Sequence, residues 1–108
     1  MKPLPPTLRE KTRYMKFRIY SREEVEFGEL VEEVWEALLQ HLGSKGAGEA
    51  SIWIMKNQFD EDKQEGVIKI RREREEDVRT ALTLIDNFNR KKGFLEITGV
   101  SGSIKKLG

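Results

Sequence analysis

Alternation governs the first stretch that reads as regular structure. From Arg13 to Ser21 (RYMKFRIYS) the odd positions Met15, Phe17 and Ile19 are apolar, while Tyr14, Lys16, Arg18 and Tyr20 place rings and cations between them. Strand side chains point to alternate faces, so one face of this segment enters a core and the other presents aromatic and positive groups to water. A helical period follows. Phe27, Leu30, Val31, Val34, Leu38 and Leu42 fall on one face and glutamates on the rest, with Ser21 and Glu24 in capping-box spacing and Gly28 weakening the first turn. GSKGAG (43–48) predicts a flexible stop. A second strand is expected over 49–56 (EASIWIMK), an acidic turn over 57–66 and a third strand over 67–72 (VIKIRR), the two strands pairing as a hairpin. Asp77 is expected to cap a second helix with the stripe Val78, Ala81, Leu82, Ile85 and Phe88, ended by Lys91, Lys92 and Gly93. A fourth strand is expected over 94–98, with Gly99 and Gly102 marking a bulge or turn.

The order β-α-β-β-α-β predicts an α+β fold of ferredoxin-like, RRM-like type: a four-stranded antiparallel sheet with both helices on one face. With Ile52, Ile54, Ile68 and Ile70 inward, Trp53, Met55, Val67, Lys69 and Arg71 join Tyr14, Lys16, Arg18 and Tyr20 on the open face. Such a face suits nucleic acid, because cations meet phosphates and flat rings stack on unpaired bases. The same alternation also describes an ordinary half-solvated strand. VIKIRR does not match K/R-G-F/Y-G/A-F-V-x-F/Y, so base stacking of the RRM kind is not assigned to the third strand.

Charge sharpens this picture. The net charge of +1 conceals a segregation: Lys2, Arg9, Lys11, Arg13, Lys16, Arg18 and Arg22 face a single acid, Glu10, in residues 1–22, whereas residues 23–36 hold seven glutamates and no base. A basic surface for a polyanion and an acidic surface turned away from it, or given to a basic partner, account for that asymmetry. A chain of 108 residues supports one core. All three prolines lie in residues 1–6, so 1–12 reads as an extended basic arm and 13–108 as a single RRM-like domain. Zero cysteines exclude disulfides and thiolate chemistry and suit a cytoplasmic protein. No apolar run approaches the length of a membrane span, and the basic start has no signal-peptide core. The Glu, Lys and Arg loading matches a thermophile protein.

Catalytic chemistry finds little foothold. His41, the one histidine, has neither Cys nor a second His beside it and reads as a partly buried helix-end residue. Asp60, Glu61 and Asp62 lack EF-hand spacing and read as a solvated turn. GSKGAG lacks the GK[ST] ending of a phosphate loop and follows a helix instead of a strand. No metal site is assigned. Trp35 and Leu39 form an apolar shoulder on the acidic helix, either core periphery or a docking patch for another protein.

Taken in order, LPPTLREKTRY (4–14), LVEEVWEALL (30–39), ASIWIMKNQFD (50–60), GVIKIRRE (66–73), TALTLID (80–86) and VSGSIKK (100–106) resemble the ribonuclease P protein component 2 family. This is the small archaeal protein subunit related to one shared by eukaryotic ribonuclease P and MRP. The resemblance implies an RRM-like, non-catalytic subunit of a ribonucleoprotein endoribonuclease that removes 5' leaders from precursor tRNA. The catalytic RNA would carry the active site and its Mg2+, the protein binding no cofactor. The implied partners are ribonuclease P RNA, precursor tRNA and a TIM-barrel-like protein subunit, with a homodimer inside a heterotetramer as one possible assembly and no membrane. Arg9, Lys11, Arg13 and Tyr14 match the family's opening motif. Together with Lys16, Arg18, Tyr20, Lys69 and Arg71 they make the expected RNA-binding set, and Trp35 and Leu39 the expected protein-partner set. The alternative is a ferredoxin-like regulatory or protein-interaction module without an RNA ligand, which leaves the basic residues before position 23 without a task.

Overall fold

The computed structural model describes residues 12–107, so the expected arm, with Arg9 and Lys11, lies outside the described residues except for Thr12. Thr12 opens strand β1 (Thr12–Ser21), which runs through the middle of an antiparallel sheet. β3 (Glu65–Arg71) and β5 (Lys91–Ser101) flank it, and the two-residue strands β2 (Trp53–Ile54) and β4 (Asn87–Phe88) close the edges, giving the order β2-β3-β1-β5-β4. Helices α1 (Phe27–Ala50) and α2 (Glu75–Thr83) pack on the side where Met15, Phe17, Ile68 and Ile70 are buried. Leu30, Val34 and Leu38 of α1 and Val78, Ala81 and Leu82 of α2 complete that core. Each large apolar side chain taken fully from water stabilises the fold by about 1.5–3 kcal/mol.

The α+β class agrees with the expectation, but the sheet has five strands where four were expected. The fifth arises because α2 stops at Thr83. Ile85 and Phe88 are buried as the helical stripe required, yet they reach the core from a loop and from β4. A two-residue turn, Asn89 (φ 52°) and Arg90 (φ 71°), then reverses the chain into β5. Positive φ at both positions is the mark of a type I′ hairpin, whose usual signal is Asn-Gly. With Arg in place of Gly, the signal is hidden.

α1 also departs at both ends. Ser21 ends β1 and donates from Oγ to the Lys92 carbonyl at 2.9 Å, so it does not cap a helix. Helix α1 begins after Glu26, whose amide donates to the Glu29 carboxylate at 3.0 Å, one half of a capping box displaced from the expected one. At the other end Gly43 alone leaves helical geometry (φ 73°), and the chain resumes the helix and buries Ala47 and Ala50. Gly43 therefore makes a kink where a flexible stop was expected, since a residue without Cβ adopts that φ without strain. Because 49 and 50 stay helical, the strand expected over 49–56 shrinks to β2.

α2 starts after Arg74, and Asp77 sits in its first turn accepting from Arg74 Nη1 at 3.0 Å instead of capping it. β5 extends well beyond the expected 94–98. Its pairing with β1 slips between Lys16↔Gly99 and Phe17↔Ile97, leaving Thr98 as the extra residue of a bulge beside the glycine that suggested one.

Candidate nucleic-acid interface

Strand register builds the side of the sheet away from the helices. Directly opposed residues share a face, so Trp53, Lys69, Tyr14 and Ser101 form one row across β2, β3, β1 and β5. Lys69 Nζ lies 5.9 Å from the centroid of the Trp53 ring, which is 65% exposed. The next row is Val67, Lys16 and Gly99, and the one after it Glu65, Arg18 and Glu96. At the far end of β1, Tyr20 opposes Phe94. Their rings stack at 4.9 Å between centroids and 16° between planes, and the Arg18 guanidinium lies 5.2 Å from the Tyr20 centroid. Rings and cations within about 6 Å attract through the ring quadrupole.

The middle row is not open. After the turn at Gly102, residues Ile104–Leu107 form a short 3-10 turn that folds back over the sheet. Ile104 and Leu107 line the same hollow as Lys16 and Val67, and a Cβ on Gly99 would stand 3.5 Å from Leu107 Cδ2. Val67 does point outward, but it is buried under this turn, which corrects the expectation that it is solvent-facing. Lys16 is half-buried for the same reason.

The expected RNA-binding residues that lie within the described range fall into three groups, Arg9 and Lys11 lying outside it. Lys16, Arg18, Tyr14, Tyr20 and Lys69 lie together on the outer face, and none of Lys16, Arg18 or Lys69 pairs with a carboxylate among the described residues. Arg71 lies on that face at its rim with its Nε 3.6 Å from Glu73. Arg13 points to the helix side, where its Nε is 3.9 Å from Glu75 and its Nη1 donates to the Thr12 carbonyl at 3.3 Å. The face is also less purely basic than the first strand suggests, because Glu65 and Glu96 flank Arg18, and Glu96 accepts from the Tyr20 hydroxyl at 3.1 Å.

Two further residues on the outer face are not among the expected set. Phe94, 54% exposed, stands one strand over from Tyr20, and Lys92 shares its face. Their signal was the alternation of β5 itself: with Leu95 and Ile97 inward, the even positions must point out. On α1, Trp35 and Leu39 are 36% and 48% exposed, so they form a partly open shoulder outside the core. His41, expected to be partly buried, is exposed. Among the described residues no group of three or more His, Asp and Glu side chains gathers where it could hold a metal ion, and no helix is long and apolar enough to cross a membrane.

Fold and face together define a small α+β protein with helices on one side of an antiparallel sheet and, on the other, rings beside cations of which Lys16, Arg18 and Lys69 form no ion pair among the described residues. Residues 13–108 match the Rpp14/Pop5 family, and the chain belongs to it. It is 42% identical over 106 residues to ribonuclease P protein component 2 of Pyrococcus furiosus, covering 98% of this chain and 87% of that protein. The protein of the same name from Methanocaldococcus jannaschii is 38% identical over 106 residues, covering 98% of this chain and 76% of the relative. A chain in the cryo-EM structure of yeast ribonuclease MRP shares the fold with a TM-score of 0.68 at 13% identity, covering 87% of this chain and 76% of that one.

Proposed function

We propose that the chain is an RNA-binding, non-catalytic protein subunit of ribonuclease P that supports the catalytic RNA in removing 5' leaders from precursor tRNA. The observation that carries the reading is the outer sheet face, where Lys16, Arg18 and Lys69 stand unpaired among described residues beside Tyr14, Tyr20 and Trp53. Unpaired cations on a rigid sheet neutralise phosphates without first breaking a protein ion pair, and each phosphate so met releases counterions. The family and the names of its relatives supply which RNA this is. In this reading Mg2+ belongs to the RNA, and the protein lowers the concentration needed by screening phosphates where strands crowd. The acidic α1, with Trp35 and Leu39, is the surface for a second protein subunit with a basic patch.

Reconstitution tests the reading. Added to ribonuclease P RNA with its partner protein, the chain should lower the magnesium at which precursor tRNA is cleaved, and alone it should not cleave. Cleavage by the RNA-free protein, or a magnesium requirement unchanged by its addition, would overturn it.

A further inference from the structure

The ring pair at the end of β1 has features that the rest of the face lacks. Phe94 has the Tyr20 ring against it and is still more than half exposed, so much of its surface is uncovered. Beside the pair opens an apolar hollow of about 500 Å³ whose lining includes Ile85, Asp86, Arg22 and Lys92. Neither Arg22 nor Lys92 pairs with a carboxylate among the described residues, and Arg18 lies against the Tyr20 ring. The one acid of the lining, Asp86, has its Oδ1 engaged by the Asn87 amide at 2.9 Å.

We propose that Tyr20 and Phe94 are a stacking site for one unpaired base of RNA, with Arg18, Arg22 and Lys92 meeting the phosphates on either side of it. The inference rests on the RNA-binding reading and deepens it. An unpaired nucleotide offers a flat π-face to the uncovered side of Phe94 and phosphates to Arg18, Arg22 and Lys92, none of which forms an ion pair among the described residues although Glu96 stands beside Tyr20. A neutral aromatic or aliphatic protein side chain would bring the first without the second, whereas RNA carries a phosphate on either side of every base. The C-terminal turn limits the ligand further. Because Ile104 and Leu107 cover the middle row, a strand cannot lie flat across the sheet, and the site takes a bulged, looped or terminal base at this end alone.

The test uses the full chain and a short single-stranded RNA carrying one 2-aminopurine, with the same strand annealed into a duplex as the second probe. The wild type should bind the single strand more tightly than the duplex and quench the 2-aminopurine. Phe94→Leu, at an exposed position where folding is undisturbed, should abolish the quenching and weaken single-strand binding by about 5- to 150-fold, the range for one stacked base. The slope of log affinity against log salt should stay the same. Phe94→Trp should retain both signals. If folded Phe94→Leu binds and quenches like the wild type while Lys16→Ala/Arg18→Ala weakens binding, the face binds RNA but the stacking site is wrong. If Phe94→Leu impairs only association with a protein subunit, the pair is a protein-docking surface and the proposal fails. A wild type that binds neither probe nor ribonuclease P RNA removes the RNA-binding reading itself, and this inference with it.

Discussion

Charge is used differently on the two sides of the sheet. On the helix side it joins elements. Lys91 Nζ lies 2.7 Å from Glu29 Oε1 and donates to the Glu24 carbonyl at 2.8 Å, while the Asn89 side-chain amide donates to Glu29 Oε2 at 2.9 Å. The Lys91 ammonium first, then the Glu26 amide and Asn89, hold the Glu29 carboxyl down from the usual 4.5 to about 2, and Glu29 in turn raises the ammonium of Lys91. Arg74 bridges Glu49 and Asp77, joining the end of α1 to the start of α2, and both carboxylates raise its guanidinium. On the outer side Lys16, Arg18, Lys69 and Lys92 make no such pair among the described residues, although Glu65 and Glu96 flank Arg18 in register. Charge paired between elements at the surface of the helix side helps to tie those elements together, whereas the cations of the outer face that have no such pair among the described residues remain available to a ligand.

Removing a side chain from the core between sheet and helices should have the largest effect. Phe17 is fully buried between the sheet and the helices, and Phe17→Ala should cost about 3–5 kcal/mol in urea unfolding, with RNA binding reduced only in proportion to the folded fraction. Gly93→Ala comes next. Its Cβ would meet the Tyr20 carbonyl and lie 2.9 Å from Ser21 Cβ, so β1 and β5 must part at the ring pair, costing about 1–3 kcal/mol in thermal or urea denaturation.

Acid titration separates the two kinds of charge without touching the core. Glu29 has a folded pKa below its unfolded one, so its contribution is present above about pH 4.5 and is lost as pH falls towards about 2. Glu29→Gln should therefore lower stability at neutral pH and flatten the loss across that window, as followed by denaturation at a series of pH values. Lys16→Ala should leave the window as it is. Trp35→Ala with Leu39→Ala should alter stability by about 1 kcal/mol each, since both are partly exposed, and should weaken association with a second protein subunit more than RNA binding, as measured by calorimetry.

The parts legible in the sequence were those set by strong periodicity. Met15, Phe17 and Ile19 inward against Tyr14, Lys16, Arg18 and Tyr20 outward is plain in the alternation of β1, and the stripe of Leu30, Val34 and Leu38 is plain in its 3.6-residue period. What failed was decided by tertiary context. Ile85 and Phe88 continue the stripe of α2 although the helix has ended, because burial constrains where a side chain goes and not which backbone carries it. Glycines at 43, 46 and 48 look like a stop, yet only Gly43 leaves the helix. The cover that Ile104 and Leu107 place over Val67 has no local signal, since nothing in IKKL says which surface it folds upon. Tyr20 was visible as an outward ring, but its pairing with Phe94 depends on a register between strands far apart in the chain.

The smallest expected change in stability carries the most direct test of the central claim. A triple variant, Lys16→Ala, Arg18→Ala and Lys69→Ala, should unfold within about 0.5 kcal/mol of the wild type per substitution, because none of the three holds the fold through an ion pair among the described residues. Its affinity for ribonuclease P RNA, followed from low to moderate salt with circular dichroism as the folding control, should show a log–log slope reduced by about 0.7–0.9 for each phosphate left without its cation. A folded triple variant that keeps the wild-type slope would contradict the account: the outer cations would then be solvated charge, and RNA would be held elsewhere.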